Sequence, residues 1–295
     1  MQPVIDSHFH IWRKADLPWL NGPMVPRIFG PYEPIRRDYP MTEYLGELAG
    51  LDVVKAVYVQ TNWAKGDFEA EVAWVSDTAK QTGWPHAIVG YADMTVEDVR
   101  PQLDRLRDYP LLRGVRMQLH WHEVPEYRFA TGPDQVLDAT VRRNVARLKD
   151  YGLSFDLQLF PAQMRSGAEL VAENPETNFI LTHCGMLVDD RPETVAAWKA
   201  GLSHFARLPN FYAKLSGLGT FGHRNDPALI ALVVDGAIEI LGSDRLTFGS
   251  NFPIEKLWTT YADVLTAHQA AVGKHGAKAV ADVFHDTAVR VYRPA

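Results

Sequence analysis

The sequence predicts one (β/α)8 TIM barrel of the α/β class, a single domain over residues 1–295. Three observations predict it. Eight short β-branched or apolar runs recur along the chain and helical patterns lie between most of them. The length of 295 residues suits one closed barrel. Strand–helix alternation argues for a parallel sheet. A doubly wound open sheet competes, but it usually has fewer strands and a glycine-rich first turn, and the stretch DSHFHIW from Asp6 is not glycine-rich.

The expected strands occupy residues 3–10, 53–62, 86–94, 112–122, 153–160, 178–186, 211–219 and 245–253. Between them, residues 68–82 carry Phe68, Val72, Val75 and Ala79 at helical spacing, and 96–108 carry Val99, Leu103 and Leu106. Residues 136–151 carry Val141, Val145 and Leu148 in the same way. Further helices are expected over 162–173, 193–206, 227–241 and 261–272, with a closing helix over 280–292 packed on the barrel. The first loop, residues 12–40, holds six prolines with Trp12, Trp19 and Phe29, and reads as long and structureless. Loops of this kind are usually lids or binding loops. In a barrel it would cover the C-terminal face, where active sites are built; a peripheral strap or dimer contact is the plainer alternative.

Composition narrows the function. Eight Trp, 11 Tyr and 13 Phe exclude disorder. With 30 Lys+Arg against 36 Asp+Glu the chain is mildly acidic and lacks the basic balance of a nucleic-acid binder. The one cysteine, Cys184, excludes a disulfide framework and a Cys-rich metal site. No apolar run is long enough to span a membrane, and MQPVIDSHFH lacks the basic-then-apolar pattern of a signal. The expectation is a cytoplasmic enzyme with a small-molecule substrate, no nucleic-acid or membrane partner, and an oligomeric state left open, a homo-oligomer included.

The sharpest chemical signal is His8-Phe9-His10 at the end of the first strand. Residues two apart in a strand point the same way, so both imidazoles should converge at the mouth of the barrel. Such a pair suits a divalent metal or a polarised carbonyl oxygen; Asp6, one step deeper, could orient His8 or cap the barrel floor. His183 ends the sixth strand before a glycine exit, and its neighbour Cys184 reads as packing. Arg116, Gln118, His120 and His122 share one face of the expected fourth strand. An inward Arg116 would bind a substrate carboxylate or polarise a carbonyl, with an ion pair to Asp6 or Asp156 as the alternative. Further polar interruptions at strand ends are Gln60, Asn62, Asp93, Asp156, Gln158, Lys214 and Ser216. Parallel strands should read as near-continuous apolar runs, so these mark either substrate contacts (Gln60, Asn62, His120, Asp156, Gln158 and Lys214 above all) or a buried network. Asn251 ends the eighth strand, and asparagine hydrogen-bonds without accepting a proton at neutral pH.

Six stretches in order, DSHFHIW, EVAWV, RGVR, THCGM, KLSGLG and FGSNFP, resemble the amidohydrolase superfamily, in its amidohydrolase-related, lactonase-like branch of metal-dependent TIM-barrel hydrolases. The resemblance runs from Ile5 to Tyr292. It implies a distorted barrel that hydrolyses an ester-like C–O or C–N bond, often in a lactone such as a sugar lactone, a muconolactone or a pyrone. It places His8 and His10 on the first-strand metal- or carbonyl-binding pair, His183 on the sixth-strand histidine, and Asn251 where catalytic members carry an Asp general base. It implies one divalent ion, zinc or manganese, on His8, His10 and His183, or none, and speaks against a two-metal site.

The expected function is therefore hydrolysis of a small cyclic ester, with His8 and His10 polarising the carbonyl, Arg116 assisting the oxyanion, and His183 and Asn251 managing the water. Without an Asp at 251, the base could be metal-bound water, a carboxylate such as Asp156, Asp189 or Asp190, or His183 with a pKa near neutrality. The alternatives are a metal-dependent decarboxylase of a small aromatic acid and a non-catalytic barrel that binds a small acid.

Overall fold

The computed structural model describes residues 2–295. All eight expected strands form: β1 (Val4–Phe9), β2 (Val53–Val59), β3 (Ala87–Gly90), β4 (Leu112–Arg116), β5 (Ser154–Leu157), β6 (Phe179–Leu181), β7 (Phe211–Leu215) and β8 (Leu246–Phe248). They pair in sequence order, every pair parallel. Around them run α1 (Pro18–Asn21), α2 (Met41–Glu47), α3 (Phe68–Thr82), α4 (Arg100–Leu106), α5 (Ala139–Val145), α6 (Met164–Glu173), α7 (Pro192–Ser203), α8 (Pro227–Leu241), α9 (Tyr261–Gly273), α10 (Gly276–Ala281) and α11 (Thr287–Tyr292). The chain is a (β/α)8 barrel.

Local sequence explains the principal helices. In α3, Glu69 and Glu71 occupy the first turn, Lys80 the last, and Gly83 ends it with φ 80°. In α8, the Asp226 side chain accepts from the N–H groups of Ala228 and Leu229, and Pro227 starts the first turn. The helix expected over 136–151 is broken, because the Asp138 side chain accepts from Thr140 and Val141 N–H and caps a fresh helix.

The strands are shorter than expected at their C-terminal ends. β4 stops at Arg116 and β8 at Phe248, so Gln118, His120, His122 and Asn251 lie on loops. Polar side chains there bond loop backbone or face a cavity instead of extending the ladder. The loop over 12–40 is ordered: it contains α1 and short 3-10 turns at Lys14–Asp16 and Glu33–Ile35. Its ends are joined by an antiparallel Trp12–Tyr39 bridge with N–H···O distances of 3.0 and 2.9 Å.

Two contacts close the barrel. Across the β1–β8 seam, Asn251 N–H donates to His8 O and His10 N–H to Phe252 O, both at 2.7 Å, and Ser7 Oγ donates to Phe248 O at 2.7 Å. At the base, α11 places Tyr292 inside the barrel, where its hydroxyl donates to Asp156 Oδ1 at 2.8 Å and it packs with Val57, Val59, Ala87, Val89 and Ile180. The expected closing helix thus plugs the barrel instead of lying on its outside.

Gly249 lets the seam close. A Cβ there would stand 2.6 Å from His8 Cβ and 3.1 Å from Ser216 Cβ. Gly249→Ala should therefore destabilise the fold by about 1–3 kcal/mol, read as a lower urea midpoint at unchanged slope.

Candidate active site

Asp6 is the fixed point under the site. Its Oδ1 accepts from His8 N–H at 3.0 Å and Ser250 N–H at 2.9 Å, and its Oδ2 from Tyr44 OH at 2.8 Å and Tyr261 OH at 3.1 Å. Burial pushes its carboxyl pKa up, and bonds from Ser250, His8 and Tyr44 pull it back. Asp6 thus orients the backbone of His8 rather than its ring.

His8, His10 and His183 come together, and His10 and His183 line a cavity of about 350 Å³ with the His8 ring buried behind them. The His8 ring lies 5.0 Å from that of His10, at 89°, and 4.9 Å from that of His183. Burial, reinforced by Arg116, lowers the His10 pKa to about 3. Burial with the Lys214 charge lowers His8, and burial with Arg116 lowers His183, both well below the usual histidine range. All three rings are neutral at physiological pH, so the expectation of a His183 titrating near neutrality is not met.

The ring nitrogens have distinct roles. His10 Nδ1 faces Val59 O at 2.7 Å. A carbonyl only accepts, so Nδ1 carries the proton and Nε2 is left with its lone pair. His10 therefore has no N–H with which to polarise a carbonyl directly. Neither His8 ring nitrogen has a partner although both are buried. His183 Nδ1 lies 2.9 Å from Ser216 Oγ, and Gly217, with φ +62°, makes room: a Cβ there would be 2.4 Å from His183 Nδ1.

These donors fit a divalent cation. An imidazole whose Nδ1–H is held by a carbonyl while Nε2 is bare has the usual orientation of a metal ligand, and the unpartnered His8 nitrogens add further donors. His8 and His10 would hold it, with His183 as third ligand, although among the described residues no three His, Cys, Asp or Glu side chains form a ready-made cation site.

The walls come from the other strand ends. Arg116 is buried and its Nη2 donates to Gln60 O at 2.6 Å, while its Nε is unpartnered. Burial lowers its pKa to about 10, so it stays charged. Gln60, Asn62, His120 and Gln158 line the cavity as expected, and Gln60 Nε2, His120 Nδ1 and Gln158 Oε1 lack partners. Trp12, Trp19, Arg27 and Phe29 from the first loop form its cover, with Trp19 Nε1 tied to Thr61 O at 2.8 Å. The loop is thus a wall of the site and not a peripheral strap. Backbone strain gathers here as well: of seven non-glycine residues with positive φ among the described residues, Asn62, His183, Met186 and Asn251 line the cavity.

Several expected contacts fall elsewhere. Asp156 and Lys214 do not line the cavity. They form a wholly buried pair at 2.6 Å, with Lys214 also donating to Ser7 O at 2.8 Å. Strand parity places both inside the barrel but does not give their depth. Asp189 pairs with Arg191 at 2.9 Å, and neither it nor exposed Asp190 reaches the cavity. His122 borders a separate surface depression. Burial raises the Cys184 thiol to about 12, in line with a packing role.

Two carboxylates escape the sequence reading. Glu71, inside EVAWV, fixes the β2 exit: its Oε1 accepts from Thr61 N–H at 2.6 Å and Tyr58 OH at 2.8 Å. Glu255 is buried beside Asn251 and Thr220, and burial pushes its carboxyl up to about 7 against the hydrogen bond from Trp258. The only signal in the sequence is its spacing, four residues after Asn251.

The strand ends thus gather neutral histidines and a buried arginine under an aromatic cover. Residues 5–293 match the family model described as Amidohydrolase. The chain is 33% identical over 292 residues to the uncharacterized protein y4mH of Sinorhizobium fredii, covering 98% of each. It is 29% identical over 272 residues to an L-fucono-1,5-lactonase of Burkholderia multivorans, covering 88% of this chain and 85% of that one. Its fold matches an amidohydrolase of Burkholderia multivorans solved with bound zinc, with a TM-score of 0.82 and 26% identity over 99% of this chain and 100% of that one. The chain belongs to the amidohydrolase family, and it is a hydrolase.

If Lys214 and Asp156 serve each other, Lys214→Met should destabilise the protein by about 3–5 kcal/mol, because it leaves a buried carboxylate uncompensated. Adding Asp156→Leu should recover part of that loss in urea unfolding.

Proposed function

We propose that this hydrolase opens a small cyclic ester by attack of water on the ring carbonyl. The observation that carries the reading is the cavity itself: neutral His10 and His183 in its lining, with the buried His8 ring packed against both, and the Arg116 guanidinium on its wall. The lactonase relative supports the same class of substrate. Arg27, Lys65, Arg116 and Arg128 line the cavity against one carboxylate, Glu126. This charge balance ranks carboxylate-bearing lactones of the muconolactone or pyrone type above neutral aldonolactones.

The chain's own groups divide the work. Charge develops on the carbonyl oxygen during attack, and stabilising it is usually the largest single contribution. Arg116 supplies fixed N–H donors for it. His10 Nε2 is a lone-pair acceptor at every pH above about 3 and can hold the water or serve as a metal ligand. Asn251 orients water without taking its proton. The aromatic cover of Trp12, Trp19 and Phe29 excludes bulk water. A zinc or manganese ion on His8, His10 and His183 would polarise the carbonyl and lower the pKa of its water.

Acid release measured by pH-stat across aldonolactones, muconolactones and pyrones tests the proposal. Arg116→Gln should lower kcat by about 10²–10³ with a smaller effect on KM. Release by wild type no faster than by the His8→Ala/His10→Ala double variant would sink the reading, and CO2 evolved from aromatic acids would replace it with decarboxylation. Elemental analysis of untagged protein should find about one equivalent of zinc or manganese if the imidazoles bind a metal, and none in the double variant.

A further inference from the structure

One charged side chain on the apolar face of α3 has no part in the division of work above. Glu71 is 1% exposed and shares its buried face with Phe68, Val72 and Val75. A carboxyl in such a place needs compensation. Its Oε1 takes three donors: Thr61 N–H at 2.6 Å, Tyr58 OH at 2.8 Å and Thr61 Oγ1 at 2.9 Å. Three donors on one oxygen suit an ionised carboxylate, and its seat in the first turn of α3 favours negative charge. Burial raises its pKa; the Thr61 and Tyr58 bonds and the Arg116 charge pull it back.

The other end of the same peptide group meets a cation. Thr61 N–H donates to Glu71, and Gln60 O accepts from Arg116 Nη2 at 2.6 Å. A guanidinium and a carboxylate thus bond opposite ends of one peptide unit, and each strengthens the bond made by the other. The segment has no slack. Gln60 N–H donates to Val89 O at 2.8 Å, Thr61 O accepts from Trp19 Nε1 of the cover at 2.8 Å, and Asn62 N–H donates to Gln60 Oε1 at 2.6 Å. Held by this segment, Arg116 lines the cavity and keeps its buried Nε unpartnered.

A second buried carboxylate, Asp156, stands beside Arg116 in the β4–β5 register. Asp156 and then Glu71 oppose the burial that lowers Arg116 to about 10. Asp156 is already matched, however: its Oδ2 accepts from Lys214 Nζ at 2.6 Å and its Oδ1 from Tyr292 OH at 2.8 Å. That pair is neutral as a whole, which leaves Glu71 to balance Arg116. We propose that Glu71 is the counter-ion and positioning residue of Arg116, acting through the Gln60–Thr61 peptide between them so that the guanidinium keeps free donors for the cavity. The catalytic consequence rests on the hydrolase reading above; the charge balance does not.

Glu71→Gln keeps the shape and an acceptor for Thr61 N–H and removes only the charge. It should lower the urea midpoint, and adding Arg116→Gln should raise it again, because opposite buried charges that serve each other cost least when both are gone. A double variant with a midpoint no higher than that of Glu71→Gln overturns the proposal. Should Glu71→Gln alone not fold, a folded double variant reads the same coupling, and a double variant that also fails overturns it. In turnover, Glu71→Gln should lower kcat about 10–100-fold with KM little changed, and cost nothing further in the Arg116→Gln background. Tyr58→Phe removes one bond to the same carboxylate and leaves its charge, so it should lower the midpoint while kcat holds. A loss of kcat in Tyr58→Phe as large as in Glu71→Gln, or losses that multiply between Glu71→Gln and Arg116→Gln, marks Glu71 as a structural contact and overturns the proposal. The unfolding comparison needs no substrate. Coupled midpoints with no lactone hydrolysed sink the lactone assignment and leave the counter-ion standing; hydrolysis with uncoupled midpoints does the reverse.

Discussion

Across the β1–β8 seam the barrel is held by a few directed hydrogen bonds, and the same residues form the site. His8 and His10 each lend one backbone group to the seam, and Asn251 answers with its N–H. Asp6 fixes the geometry from beneath, tying His8 and Ser250 together under hydroxyls from α2 and α9. The backbones of His8 and His10 cannot move relative to that of Asn251 without opening the seam. Such a site is rigid because the fold needs it to be, and the chain can carry strained backbone at His183 and Asn251 because the neighbouring ladders over-determine it.

Electrostatics follow from the same burial. Two cations, Arg116 and Lys214, lie close to the histidines, and both add to the desolvation that keeps the rings neutral. Lys214 is offset by Asp156; Arg116 has no acidic side-chain partner and spends one N–H on a backbone carbonyl. The difference gives the two cations different places. One is bound into the floor, and the other keeps donors free toward the cavity.

The strands were legible in the sequence because both faces of a parallel barrel strand are buried, which leaves unbroken apolar runs such as Val57–Val59 and Phe179–Leu181. Their ends were not, since Gln118 and His120 alternate as a strand would while lying on a loop. Convergence of His8 and His10 followed from period-two geometry alone. Parity also put Asp156 and Lys214 inside the barrel, but parity carries no information about depth, and depth separates a floor from a wall. Glu255 was hidden for another reason. It lies outside any strand, and only tertiary enclosure by Gly219, Thr220 and Trp258 distinguishes it from an ordinary surface glutamate.

The base of the barrel has its own consequence. Tyr292 fills the interior below the histidines, and the segment after it is stitched to the strand starts by Ala295 N–H to His86 O at 2.9 Å and Lys55 Nζ to Pro294 O at 2.9 Å. The cavity therefore opens at the other end of the barrel, under the aromatic cover. An anionic product leaving by that mouth would pass Arg27 and Arg128, which line the cavity.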